Sequence, residues 1–89
     1  MANLIGAEHI LKAVANIKRL QILWHLKRRK ELTVEDISSA IHLSYRSTSK
    51  HLLLLQRARI VDRIQKNRFA YYSISLENPI FISALIKQI

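Results

Sequence analysis

Apolar residues recur with a helical period through the first 57 positions of this 89-residue chain and then alternate, so spacing alone orders the elements. Ile10, Leu11 and Val14 predict a helix over 7–15, which Leu4 and Ile5 extend toward the N-terminus. Asn16 interrupts that pattern and serves as N-cap for a second helix over 17–29, because a short amide accepts from free backbone N–H groups. Leu20, Ile22, Leu23 and Leu26 form its apolar side, and Lys27, Arg28, Arg29 and Lys30 place cations at the negative end of its dipole. Thr33-Val34-Glu35-Asp36 has the form of a capping box and opens a short helix to about Ala40, with Val34, Ile37 and Ile41 inward. His42-Leu43-Ser44 leaves room only for a tight turn before a fourth helix over 44–57, capped by Ser44. Two short helices joined this way are a helix-turn-helix. Residues 60–65 and 69–74 are β-branched, aromatic and alternating, so they read as a hairpin whose turn, Lys66-Asn67-Arg68, centres on Asn67, the residue best able to adopt φ > 0. Asn78-Pro79 starts a last helix, with Asn78 as N-cap and Pro79 at the first helical position.

The expected fold class is therefore mainly α with a two-stranded β-wing: four helices, two strands and a fifth helix, a winged helix-turn-helix forming one domain over 1–89. In the last helix Phe81, Ile82, Leu85, Ile86 and Ile89 share one stripe that nothing later in the sequence can cover. With Leu4, Ile5 and Leu11 of the first helix it makes the expected dimer interface, formed by the terminal helices at about 4–15 and 79–89.

The fourth helix carries the most chemistry. At about 100° per residue, Thr48, Leu52 and Leu55 gather on one side while Arg46, Lys50 and Arg57 fall opposite. Tyr45, Ser47 and Ser49 add hydrogen-bonding groups near its N-terminus, beside Ser44. One side wants a core and the other wants anions. These are the needs of a DNA recognition helix, with cations for phosphates and forked or hydroxylic groups for base edges in the major groove. By itself the stretch also fits a solvated amphipathic helix. The hairpin supplies context: Arg63, Lys66, Asn67 and Arg68 make a basic tip, and directly after a helix-turn-helix such a tip is a wing for the sugar-phosphate backbone or a minor groove. Leu53 falls among the cations, where it either covers the base of the wing or marks a further contact.

Composition narrows the partner. Fifteen Lys and Arg against six Asp and Glu give a formal charge of +9 and a pI near 10.5, which points to a polyanion, nucleic acid first and an anionic membrane second. A chain this short buries little core of its own, and with 49% hydrophobic residues oligomerisation is a natural route to more. No cysteine is present, so disulfides and thiolate metal sites are excluded. The longest apolar run is Leu52 to Leu55, far short of a membrane span, and the expectation is a soluble cytoplasmic protein. His9, His25, His42 and His51 contain no i, i+4 pair, so neither a metal nor another cofactor is expected. The acids form no catalytic constellation either, Glu35 and Asp36 being accounted for by capping, and no enzyme is expected.

The runs Leu11 to Leu23, Glu31 to Ile37, Leu43 to Leu52 with its Leu-Ser and Ser-Lys-His-Leu core, and Phe69 to Ile74 with Tyr-Tyr-Ser, together resemble the ArsR/SmtB-type winged helix-turn-helix repressors, over residues 11–74. The resemblance implies five helices and a two-stranded wing, dimerisation through the first and last helices, and a homodimeric repressor that sits on an imperfect inverted repeat and leaves when an inducer binds. Thr33 and Glu35 stand where metal-sensing members carry Cys-x-Cys, and the last helix lacks the Asp and His ligands of other members. His51 matches a DNA-facing position of the family, although the helical wheel turns it toward the packed side. His42 and Arg59 stand where the family often has glycine; keeping that geometry needs φ > 0, which histidine tolerates moderately and arginine less, so a backbone adjustment is expected at both. Tyr45 and Arg46 replace the usual Gln and Ser, so the operator preference is this chain's own, with Arg46 able to fork onto guanine O6 and N7. The expected function is a sequence-specific regulator of transcription that binds double-stranded DNA, with 44–57 in the major groove. Tyr45, Arg46 and Ser49 are the expected readers, and Lys50 and Arg57 the phosphate ligands. A winged-helix protein-interaction module and a nonspecific nucleic-acid binder remain open alternatives.

Overall fold

The computed structural model describes residues 3–89 and contains α1 (Leu4–Val14), α2 (Ile17–Arg29), β1 (Leu32–Thr33), α3 (Val34–Ile41), α4 (Tyr45–Arg57), β2 (Val61–Lys66), β3 (Phe69–Ile74) and α5 (Ile80–Gln88). Local chemistry sets most of these boundaries. Asn16 Oδ1 accepts from the Arg19 backbone at 3.1 Å and starts α2, and Ser44 Oγ accepts from the Ser47 backbone at 3.1 Å and starts α4. Thr33 and Asp36 form the reciprocal capping box that starts α3. His42 and Arg59 follow α3 and α4 at φ 58° and 61°, so the left-handed geometry is kept and the backbone adjustment expected there does not occur, and Lys30 ends α2 at φ 67°, which spacing did not signal.

Ile22, Leu23 and Leu26 of α2, Ile37 and Ile41 of α3, Leu52 and Leu55 of α4, and Ile60 and Val61 entering β2 are all buried in one core. Each such side chain contributes about 1.5–3 kcal/mol relative to exposure, so the helix-turn-helix is held mainly by α2 beneath it. A long-range polar contact adds to this: Lys18 Nζ donates to the Ile41 carbonyl at 2.7 Å, satisfying an acceptor at the end of α3.

One expectation gains a strand and a second needs correction. The expected two-stranded wing is present as the β2–β3 hairpin, and β1 extends it to a three-stranded antiparallel sheet in the order β1-β3-β2, because Leu32 and Thr33 pair with Tyr72 and Tyr71. Two residues are too few to show alternation, and one of them doubles as the α3 cap. The correction concerns α5. Pro79 precedes the helix and Asn78 does not cap it; the Asn78 amide instead donates to the Ser75 carbonyl and accepts from Ser83 Oγ at 2.6 Å, fixing the β3–α5 turn. The α5 stripe also divides. Ile82 is fully buried in the chain's own core and has no surface to offer a second chain, Ile86 is buried but for a small remainder, and Leu85 and Ile89 pack partly against that core. Phe81 stays exposed, as do Leu4, Ile5 and Leu11 of α1.

Candidate nucleic-acid interface

The sides of α4 are divided as its sequence requires. Thr48, Leu52 and Leu55 are buried, and this anchoring leaves Arg46, Lys50 and Arg57 exposed on the opposite side with Ser44, Tyr45 and Ser47 around the helix start. Ser49 is half-buried on one flank. None of the three α4 cations is paired with a carboxylate; the described residues contain two ion pairs, Glu8–Lys12 and Glu31–Lys66. Their charge is therefore not compensated by an ion pair among the described residues.

His51 lies on the other flank, turned toward α2. Its Nδ1 sits 3.1 Å from an Arg19 guanidinium nitrogen, which can only donate, so the ring accepts there and carries its proton on Nε2. Burial, then the positive charges of Arg19 and Lys18, hold this histidine below the usual imidazole range. The same Arg19 donates from Nε to the Ala13 carbonyl at 2.6 Å and from its second terminal nitrogen to the Lys12 carbonyl at 3.3 Å. One guanidinium thus joins the end of α1, the start of α2 and the flank of α4. Nothing in the spacing of Arg19 marks it for this, because its partners are 6, 7 and 32 positions away.

The wing turns over two residues, Asn67 and Arg68, between the paired Lys66 and Phe69, with Asn67 at φ 57°. Strand alternation sends its basic residues to different sides. Arg63 shares a side with Gln65 and donates to its Oε1 at 3.1 Å, and Gln65 in turn donates to the Asn67 carbonyl. Lys66 is on the other side, where it reaches both Glu31 carboxylate oxygens at 2.9 and 3.2 Å and lies 5.3 Å from the Tyr71 ring centroid. That contact ties the tip to the segment before β1. Arg63 and Arg68 remain as exposed cations without a carboxylate partner. On α2, Arg28 lies 4.6 Å over the Trp24 ring, and His25 meets that ring edge-on. Burial and the nearby Arg29 and Arg28 charges lower the His25 pKa.

Among the described residues no three His, Cys, Asp or Glu side chains converge on a possible metal position, and no helix is long and apolar enough to cross a membrane. The geometry can hold an extended polyanion along α4 and present polar side chains at its N-terminal end.

No family model matches the chain. It is 39% identical over 66 residues to the transcriptional activator HlyU of Vibrio cholerae, a stretch that spans 74% of this chain and 60% of that protein. It is 31% identical over 67 residues to the transcriptional repressor SdpR of Bacillus subtilis, spanning 75% and 73%. Among solved structures, a homodimeric winged helix-turn-helix DNA-binding domain from Mycobacterium bovis, a possible ArsR-family transcriptional regulator, matches with a TM-score of 0.81 at 28% identity, over 96% of this chain and 75% of the other.

Proposed function

We propose that this chain, which belongs to the ArsR family of winged helix-turn-helix DNA-binding transcriptional regulators, acts as a homodimeric repressor reading an inverted-repeat operator. The observation that carries this reading is the division of α4 into a buried apolar side and an exposed side with three cations outside any ion pair among the described residues. A helix of 13 residues is about 20 Å long, and a major groove admits it. In that position Arg46, Tyr45 and Ser49 face base edges, Lys50 and Arg57 take phosphates, and Ser44 and Ser47 bring hydroxyls to the same strand. Arg63, Asn67 and Arg68 of the wing lie on the flanking backbone, with Lys66 as an additional cation once it leaves Glu31. His51 acts from the flank by holding α4 to Arg19.

The exposed Leu4, Ile5, Leu11 and Phe81, with Ile80 beside Phe81, supply apolar surface for the second protomer. The HlyU and SdpR comparisons both name transcription regulators, which supports a function exercised on DNA.

Selection of bound duplexes from a random pool at physiological salt tests the proposal. The expected product is an inverted repeat whose half-sites are about 10 base pairs apart or a multiple of that. Affinity should fall by about 0.9 log unit per log salt for each phosphate neutralised. Arg46→Ala should erase one base preference in each half-site and leave nonspecific binding nearly unchanged. A pool that stays unselected overturns the proposal and favours a nonspecific binder or a protein-interaction module.

A further inference from the structure

The exposed side of α4 is not purely cationic, because Leu53 stands within it. At about 100° per residue Arg46, Leu53, Arg57 and Lys50 fall within about 60° of one another, opposite Thr48, Leu52 and Leu55. Leu53 keeps 42% of its surface exposed. Its neighbour Leu54 is equally exposed at 43%, but it has an evident role, since it lines a cleft of about 150 Å³ against α1 with His9, Lys12, Ala13 and Arg19. Leu53 lies about 100° away, on the side that α1 does not approach.

A branched apolar side chain flanked by three cations has one matching chemistry in a major groove. Lys50 and Arg57, about one turn before and one turn after Leu53, take phosphates at the rim while Arg46 reaches a base edge, which directs Leu53 on the same side at the floor. There the thymine C5-methyl is the apolar group a base pair presents. We propose that Leu53 is a specificity-determining residue that packs against a thymine methyl. The inference rests on the reading of α4 as the groove helix and adds to it a base identity and a register. Arg46 and Leu53 are seven residues apart, about 10 Å along the helix, which is about three base-pair steps. The thymine should therefore lie about three base pairs from the base that Arg46 reads. An anionic membrane also attracts cations mixed with leucine, but one half-exposed leucine between three arginines and lysines offers little to insert into a bilayer.

The test replaces each thymine of the selected duplex with deoxyuridine, which removes only the methyl group. One position per half-site should lose about fourfold in affinity, the worth of one methyl taken out of water. In Leu53→Ala that loss should vanish, whereas Leu53→Met, which keeps the volume, should retain part of it. Unfolding midpoints followed by Trp24 fluorescence establish that both variants fold. An identical deoxyuridine penalty in Leu53→Ala, or no penalty at any thymine, overturns the inference, even if Arg46→Ala still loses its base preference and the groove reading stands. If the pool is never selected, both fall together. Weaker binding of Leu53→Ala to vesicles of anionic phospholipid, with DNA binding unchanged, overturns it in favour of a membrane surface.

Discussion

Replacing Arg19 by alanine removes contacts that join three helices without touching the exposed side of α4. The lost groups are the donors to the Ala13 carbonyl at 2.6 Å, the Lys12 carbonyl at 3.3 Å and His51 Nδ1 at 3.1 Å. Hydrogen bonds from a charged donor contribute about 1.5–3 kcal/mol when shielded, and the first and third of these are partly buried. The Lys12 bond is exposed and water replaces it, so it adds little. Partial solvation at the other two lowers their sum to about 2–3 kcal/mol. Such a loss is a large fraction of the 5–15 kcal/mol typical of a domain and corresponds to roughly 10–20 °C in melting temperature.

The chain contains one tryptophan, Trp24 on α2, so urea unfolding at fixed protein concentration can be followed by its fluorescence. Arg19→Lys should recover less than half of the loss, since an ammonium cannot span two carbonyls and an imidazole as a planar fork does. In a double-mutant cycle, Arg19→Ala and His51→Ala should be non-additive by about 0.5–1.5 kcal/mol. A loss below about 0.5 kcal/mol for Arg19→Ala, or full recovery by lysine, refutes the reading of Arg19 as the joint.

Acidification should destabilise the fold: the native pKa values of His51 and His25 are lowered, so below about 6.5 the unfolded chain binds more protons than the native one, and the stability present at pH 7 is lost as pH falls toward the native values. The urea midpoint should drop between pH 7.5 and 5.5, less so in His51→Gln; a pH-independent midpoint contradicts this. Thr48→Val should stabilise by about 1 kcal/mol, because Thr48 is fully buried and its hydroxyl has no hydrogen-bond partner; a lower midpoint would show that the hydroxyl is satisfied. Phe81→Glu and Ile82→Ala, one residue apart, should act differently. The first should shift sedimentation from dimer to monomer with the monomer still folded, and the second should cost about 2–5 kcal/mol by leaving a core cavity; equal effects on assembly would refute the division of α5.

What the sequence made legible follows from how far each interaction reaches. Ser44 and Thr33 disclose helix starts because a cap acts within three residues, and the φ of Asn67 was legible because a hairpin turn demands it locally, whereas His42 and Arg59 hold φ > 0 that neither residue type favours. The α4 side chains were legible for a related reason: one helical period separates three core residues from three cations, and no distant partner alters that division. β1 and Arg19 were not legible. Leu32 meets Tyr72 across 40 positions and Arg19 meets His51 across 32, and neither has a local pattern of its own.

Leu53 and the α5 stripe show where periodicity itself stops. It reports which residues share a side, not what covers that side. Phe81 and Ile82 both entered the apolar stripe, yet Phe81 is 42% exposed and Ile82 is fully buried. Leu53 entered a polar stripe and remains exposed, because its position on α4 turns it away from the core that Leu52 and Leu55 fill. Its place about one turn from both Lys50 and Arg57 is what ties it to the proposed DNA contact rather than its exposure alone. On the proposed reading of α4 as the groove helix, Leu53 is the apolar residue on its cationic side, and removal of a thymine methyl is what tests its contact.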